Sequence, residues 1–390
     1  MQCSALHRIL CKAEHCTFVM MHFIKRFDWI LIGSLVPLFI WSLLTLKGIG
    51  GAEDSFFYRQ LTWIGVGFLV MFLVAMVDWR LFMRSGVVLL LYGGLVGMLL
   101  LLFITGTRVK GALSWFSFSS ASFQPAEIMK LALILLLAKY YSYRHIDIAR
   151  ARHIFITGFW AAIPSALILV QPDLGSAIII LSIWAGMTMV AGIRMRHFLM
   201  LAAAGAVSVV LAWMYVLAPY QQQRILTFLN PAADPQGTGY NALQSVIAVG
   251  SGQFLGKGVG YGSQSRLQFL PESHTDFIFA AFAEEWGFLG VLLLFGCVGL
   301  FLWRVLRIGE SSPNNFSKLF AIGFSILVVV QGVIHTGMNM GLLPITGLTF
   351  PFMSYGGSSL LALFVGIGIL QNMHRSLSYS SRTGLGDLFD

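Results

Sequence analysis

Residues 85–105 read SGVVLLLYGGLVGMLLLLFIT. The stretch carries no charge and is about as long as the ~20 apolar residues that a helix needs to cross a bilayer core. A segment apolar on every face cannot lie on the surface of a soluble protein. Comparable runs occur at 28–47, 60–78, 125–142, 154–171, 174–193, 198–218, 276–303, 318–341 and 353–374. They are too long for barrel strands and their polarity does not alternate. The expected fold class is therefore an all-α integral membrane protein of about ten transmembrane helices. The composition of the 390-residue chain agrees: 57% of residues are hydrophobic and 11% charged, against about 25% charged in a soluble domain. Soluble enzymes, disordered chains and DNA-binding modules are excluded. The net charge of +9 is accordingly no nucleic-acid footprint; the question is on which side Lys and Arg sit.

Ten spans put both ends on one side. With both termini in the cytoplasm, 17 of the 25 Lys and Arg residues fall inside, as the positive-inside rule requires. Residues 1–27 are then a cytoplasmic tail, 28–374 a single membrane domain, and 375–390 a second cytoplasmic tail. The eight remaining cations are Lys47, Arg59, Arg108, Lys110, Lys130, Arg224, Lys257 and Arg266. Seven face outward and Lys130 lies in a span, which points to an anionic ligand at the outer side. One loop, 219–275, is far longer than the others and faces outward between the seventh and eighth spans. Loops of that length in a compact protein usually carry function. Its Gly-rich GSGQFLGKG lacks the spacing and the Lys-Ser/Thr pair of a phosphate-binding loop. Cys3, Cys11, Cys16 and Cys297 make neither a metal spacing nor a disulfide framework.

Ionisable groups inside spans are costly and usually functional. Glu127 and Lys130 in QPAEIMK (124–130) share a helix face at i,i+3, with Pro125 marking the helix start. They form either a self-neutralising pair or a site where Lys130 meets an outer-leaflet anion and Glu127 sets its geometry. Asp173 follows Pro172 and opens the sixth span, where an N-cap is the natural role. Asp276, in PESHTDF (271–277), stands where the long loop enters the eighth span, beside Glu272 and His274. It is either another cap or a base acting on a lipid-linked substrate at the membrane boundary. Glu284 and Glu285 lie two turns deeper and point about 100° apart. His335 and Asn339, i,i+4 in the ninth span, are expected to bond neighbouring helices rather than a metal. The Gly/Pro-interrupted segment GLLPITG…PFMSYGGSS (341–359) suggests broken helix lining a cavity.

Together these segments resemble the SEDS family (shape, elongation, division and sporulation). The matching stretches are Gly111-Ala112 with Trp115, QPAEIMK, QPDLGSA (171–177), NPAADPQGTGYNALQS (230–245), GKG (256–258), FLPESHTDFIFAAFAEEWG (269–287), GLLPITG and PFMSYGGSS. They run in family order over residues 28–374. Tyr240-Asn241, the GKG and Gln264-Ser265 look like the elongation branch. Three positions depart: Ser114 stands where many members have Arg, Gln253 where Gly is usual, and Thr349 where Pro is usual.

The resemblance implies a peptidoglycan glycosyltransferase that polymerises lipid II at the outer face of a bacterial cytoplasmic membrane. It implies Asp276 as the catalytic residue, a Glu127/Lys130 substrate pair, a class B penicillin-binding protein as partner, and the rod-shape (elongasome) machinery. Chemically, an acceptor 4-hydroxyl must lose its proton as it attacks C1 of the donor, and a carboxylate can take it. The departing pyrophosphate needs cations: Arg108, Lys110, Lys130, Arg224 and Lys257 are candidates. A divalent cation, Mg2+ or Mn2+, would serve the same end. His274 either orients Asp276 or the acceptor sugar, or is an ordinary loop histidine. The rival expectations are a lipid II flippase and a non-catalytic scaffold for the transpeptidase. A transporter usually shows repeat symmetry between its halves, and none is visible.

Overall fold

The computed structural model describes residues 27–50, 55–109, 112–118, 121–144, 151–215, 222, 226–230, 238–267 and 269–383. Its helices are α1 (Trp29–Gly50), α2 (Ser55–Met76), α3 (Ser85–Thr105), α4 (Pro125–Arg144), α5 (Ala151–Val170), α6 (Leu174–Val190), α7 (Met195–Tyr215), α8 (Thr238–Ser251), α9 (Ser263–Arg266), α10 (Ile278–Glu310), α11 (Asn315–Asn339) and α12 (Gly357–Thr383). The ten expected spans correspond one for one to α1–α7 and α10–α12; α8 and α9 lie in the long loop. By length and composition, seven of the described helices suffice to cross a membrane. The chain is a multi-pass helical membrane protein. Large apolar side chains stand exposed on its outside, among them Leu90 (78%), Ile104 (83%) and Phe155 (76%), as a lipid-facing surface requires.

Helix α4 explains why hydropathy alone undercounts. It carries Glu127, Lys130 and Lys139, yet residues 125–127 and 129–139 are all buried. A helix buried all round sits inside the bundle, so its charges meet protein rather than lipid. It packs against α3, α6 and α11.

Several features differ from the sequence reading. A small antiparallel sheet, β1 (Thr107–Val109), β2 (Ala112–Phe118) and β3 (Ala121–Phe123), stands between α3 and α4; two of its strands are only three residues long. The last helix begins at Gly357, not 353, and continues to Thr383, so the segment after 374 is helical at first. The eighth span continues to Glu310, carrying Arg304 and Arg307 within the helix. It is also broken: Gly287 has φ 66 and ψ −168. The free carbonyls of Glu284 and Glu285 accept from Lys257 N and Gly258 N at 3.0 Å, while Phe288 N and Leu289 N donate to Gln253 O and Phe254 O at 2.8 and 3.1 Å. The 252–258 segment thus fills the break. A β-carbon at Gly287 would collide with Gly256 N, and one at Gly252 with the Ala283 carbonyl.

The interrupted segment before α12 is non-helical and buried at Leu348, Phe350 and Phe352–Ser354. Such backbone survives at membrane depth only where protein satisfies its polar groups. Ser42 Oγ bonds the Met353 carbonyl at 2.6 Å, Gln60 Nε2 the Ser354 carbonyl at 3.3 Å and Gln331 Nε2 the Thr349 carbonyl at 3.0 Å. Phe352, held at φ 64, drives its ring into the core, 5.1 Å from Phe301.

Candidate functional site

Asp276 lies in a turn, residues 271–277, that leads into α10. Three consecutive carbonyls of this turn are held from elsewhere. Tyr355 N donates to His274 O at 3.0 Å. Ser354 Oγ and His335 Nε2 both reach Thr275 O, at 2.9 and 3.3 Å. Asn339 Nδ2 donates to Asp276 O at 3.0 Å. The expected helix-to-helix bonding of His335 and Asn339 is therefore present, and its target is the backbone of the candidate base. Asp276 itself is half-buried, and a β-carbon at Gly347 would lie 3.9 Å from its Oδ2. Its carboxylate is therefore beside the 341–356 segment.

His274 stacks on Phe56 with centroids 4.1 Å apart, and its Nε2 lies 3.4 Å from Glu272 Oε2. Glu272 adopts φ 55, a conformation that costs a non-glycine residue about 1–3 kcal/mol and clusters at functional sites.

Glu127 and Lys130 form the expected pair: Lys130 Nζ donates to Glu127 Oε1 at 2.6 Å, with side-chain exposures of 0% and 9%. Nearby, Asp173 accepts from Gln124 Nε2 at 2.9 Å, Ser176 N at 3.0 Å and Ser176 Oγ at 2.8 Å, so it caps α6 as its position suggested. The 341–356 segment touches both regions. Its Gly347 faces Asp276, while a β-carbon on Gly175, just after Asp173, would meet its Thr346 carbonyl at 3.0 Å.

The adjacent acids Glu284 and Glu285 divide their roles. Glu284 accepts from Lys257 Nζ at 2.9 Å, Gln264 N at 3.1 Å and Ser265 N and Oγ, each at 3.2 Å. It clasps the long loop onto α10. Glu285 Oε1 accepts from Gly260 N at 2.9 Å, while its Oε2 is buried without a hydrogen-bond partner. Lys257, counted among the candidate substrate cations, is thereby engaged with Glu284. Arg108 lies on β1; Lys110 and Arg224 fall outside the described residues. Among the described residues, no group of three or more His, Cys, Asp and Glu side chains could hold a metal ion.

Sequence reading missed the break at Gly287 and the serines that brace the site. Ser245 Oγ donates to the Asn339 carbonyl at 2.9 Å, and Ser354 braces Thr275. A lone Ser in a small-residue tract carries no signal of the partner it meets in space. Beyond Asn339, an open and largely apolar pocket of about 220 Å3 lies between Ala242, Leu243 and Val246 of α8 and Met338, Met340 and Ile345.

These features define a polytopic helical membrane protein whose acid-bearing site is built at one end of the bundle from a long loop and a broken helix. The family described as Cell cycle protein, FtsW/RodA/SpoVE, matches residues 21–379, and the chain belongs to that family. It is 37% identical over 335 residues to stage V sporulation protein E of Bacillus subtilis, covering 84% of this chain and 89% of that one. It is 33% identical over 340 residues to peptidoglycan glycosyltransferase MrdB of Escherichia coli, covering 87% and 91%. A solved structure described as a peptidoglycan synthase complex coordinating polymerization and crosslinking matches with a TM-score of 0.76 and 33% identity over 90% of this chain and 98% of that one. The crystal structure of rod shape determining protein RodA from Thermus thermophilus matches with a TM-score of 0.67 at 30% identity, covering 90% and 97%.

Proposed function

We propose that this protein is a peptidoglycan glycosyltransferase that polymerises lipid II into glycan strands at the outer face of the cytoplasmic (inner) membrane during cell elongation. Relatives named for this activity match over most of their length. The observation that carries the site assignment is the pinned turn: three successive carbonyls, those of His274, Thr275 and Asp276, are each bonded from α11 or the segment before α12. A general base must be held in geometry before its pKa matters.

In this reading Asp276 accepts the proton of the acceptor 4-hydroxyl as that oxygen attacks C1 of the donor. The donor C1–O bond to the pyrophosphate breaks in the same displacement, with inversion, and the polyprenyl pyrophosphate leaves. Lys130, set by Glu127, and Arg108, Lys110 and Arg224 are the cations proposed to meet the pyrophosphate charge. Lys257 acts through Glu284, holding the loop in place. A class B penicillin-binding protein is the proposed partner, its membrane helix meeting the outer faces of α10 and α11. Both chain termini are proposed to lie in the cytoplasm, so a reporter fused at residue 240 should read as extracytoplasmic; a cytoplasmic signal overturns that orientation.

The test is Asp276→Asn, which keeps the size and polarity of the side chain but removes the base. Purified protein with its partner, in detergent and without a gradient, should lose lipid II polymerisation while still binding the partner. Retained polymerisation would end the base assignment. A wild-type protein that never polymerises under these conditions would favour the flippase or scaffold readings.

A further inference from the structure

Helix α10 starts without a cap of its own. Its N-cap residue, Phe277, has no side-chain cap hydrogen bond, although the first four N–H groups of a helix need outside acceptors. The next bond in the ladder is ordinary: Ala281 N donates to Phe277 O at 3.1 Å. One residue earlier, Ala280 N and Asp276 O stand in the i,i+4 relation of a helical bond, but Asn339 stands between them. Its Oδ1 accepts from Ala280 N at 3.2 Å, and its Nδ2 donates to Asp276 O at 3.0 Å. A side chain inserted into the i→i−4 ladder is a recognised way to open a helix. A carboxamide is suited to it, because it presents a donor and an acceptor side by side. Asn339 is fully buried. It is itself held by Ser245 Oγ, 2.9 Å from its carbonyl and 3.3 Å from its Oδ1, and its Nδ2 also donates to the His335 carbonyl at 2.8 Å.

We infer that Asn339 is a positioning residue: its amide splints the first turn of α10 open and so aims the Asp276 carboxylate from a helix to which Asp276 does not belong. Without the splint, Asp276 O and Ala280 N can bond directly and the helix winds back through Asp276. Each residue of helix turns a side chain by about 100°, which would carry the carboxylate away from Gly347. The inference rests on the proposed role of Asp276 as base.

The variant that separates positioning from plain packing is Asn339→Leu, which has the same branching and number of heavy atoms but can neither donate nor accept. The expected result is a folded protein with unchanged KM for lipid II and kcat lowered about 10- to 100-fold, the scale on which a misplacement of about 1 Å is felt. In an Asp276→Asn background the same change should cost nothing further, because there is no base left to aim. A wild-type kcat, a loss confined to KM, or an equal loss in that background overturns the inference. If Asn339→Leu does not fold, Ser245→Ala replaces it, removing one hold on the amide; it should lower kcat by a smaller factor at constant KM, and a wild-type kcat there overturns the inference equally. An active Asp276→Asn protein, by contrast, would defeat the base assignment itself.

Discussion

Two aspartates in this chain occupy the same local setting, the residue or two before a helix that follows a Gly/Pro-marked turn, and the fold uses them differently. Asp173 bends back on its own helix. It accepts from the Ser176 backbone and hydroxyl and from Gln124, so its carboxylate is consumed in capping α6. Asp276 precedes a helix whose N-cap is Phe277, without a side-chain cap. The first turn of that helix is served instead by Asn339, from α11. The backbone of Asp276 is instead fixed by Asn339, so α11 sets the direction of its carboxylate. Position beside a helix start therefore does not tell a structural acid from a chemical one; what tells them apart is whether another element takes over the cap.

The largest effect should break the symmetry between the two residues outright. Asp276→Asn is expected to cost about 10²–10⁴ in polymerisation rate, the usual worth of a general base, whereas Asp173→Asn, which keeps a capping oxygen, should stay within a few-fold of wild type in the same assay. Equal losses in the two variants would erase the distinction.

Next comes the buried pair near Asp173. Lys130→Ala leaves Glu127 unpaired at 9% side-chain exposure, and breaking such a pair costs about 3–5 kcal/mol. Chemical or thermal unfolding in detergent should register that loss, and Glu127→Gln combined with Lys130→Met should recover much of it. Full polymerisation by a folded Lys130→Ala protein would remove any substrate role for the ammonium.

A smaller effect belongs to Asp173→Ala. Loss of an N-cap costs about 0.5–2 kcal/mol, so the melting temperature should fall while the residual folded protein polymerises normally. A melting temperature unmoved by the change would mean that Asp173 is not the cap that its hydrogen bonds describe.

The smallest lies at Gln253, whose φ of 48 places an L-residue where glycine is at home. Left-handed backbone costs about 1–2 kcal/mol, and the added freedom of glycine in the unfolded chain returns roughly half of that. Gln253→Gly should therefore stabilise the clasp of the 252–258 segment by at most about 1 kcal/mol, read as a slight rise in melting temperature; a fall would show that the Gln side chain contributes more than its backbone costs.

Much of the architecture was legible in the chain itself. Each of the ten apolar runs became a helix, because no other element satisfies its backbone within lipid. The Glu127–Lys130 pair followed from i,i+3 geometry, the Asp173 cap from its place before Gly175 and Ser176, and the break before α12 from its glycines and prolines. These are local relations, and helix geometry alone dictates them. The usual Gly at 253 also had a local meaning, but only the left-handed φ revealed it.

What the tertiary structure decided are the relations between residues far apart in sequence. Sequence could not say how the loop engages Glu284 and Glu285; the break at Gly287 and the inserted 252–258 segment bring Lys257 to Glu284 and Gly260 N to Glu285. Nor could it say that Lys257 also meets Ser263 there. It marked His335 and Asn339 as polar residues needing partners, yet the partners are the Thr275 and Asp276 carbonyls, about 60 residues away. The physical reason is common to all three cases. A hydrogen bond depends on positions and angles in space to within tenths of an ångström, and only packing of the bundle sets those between distant segments.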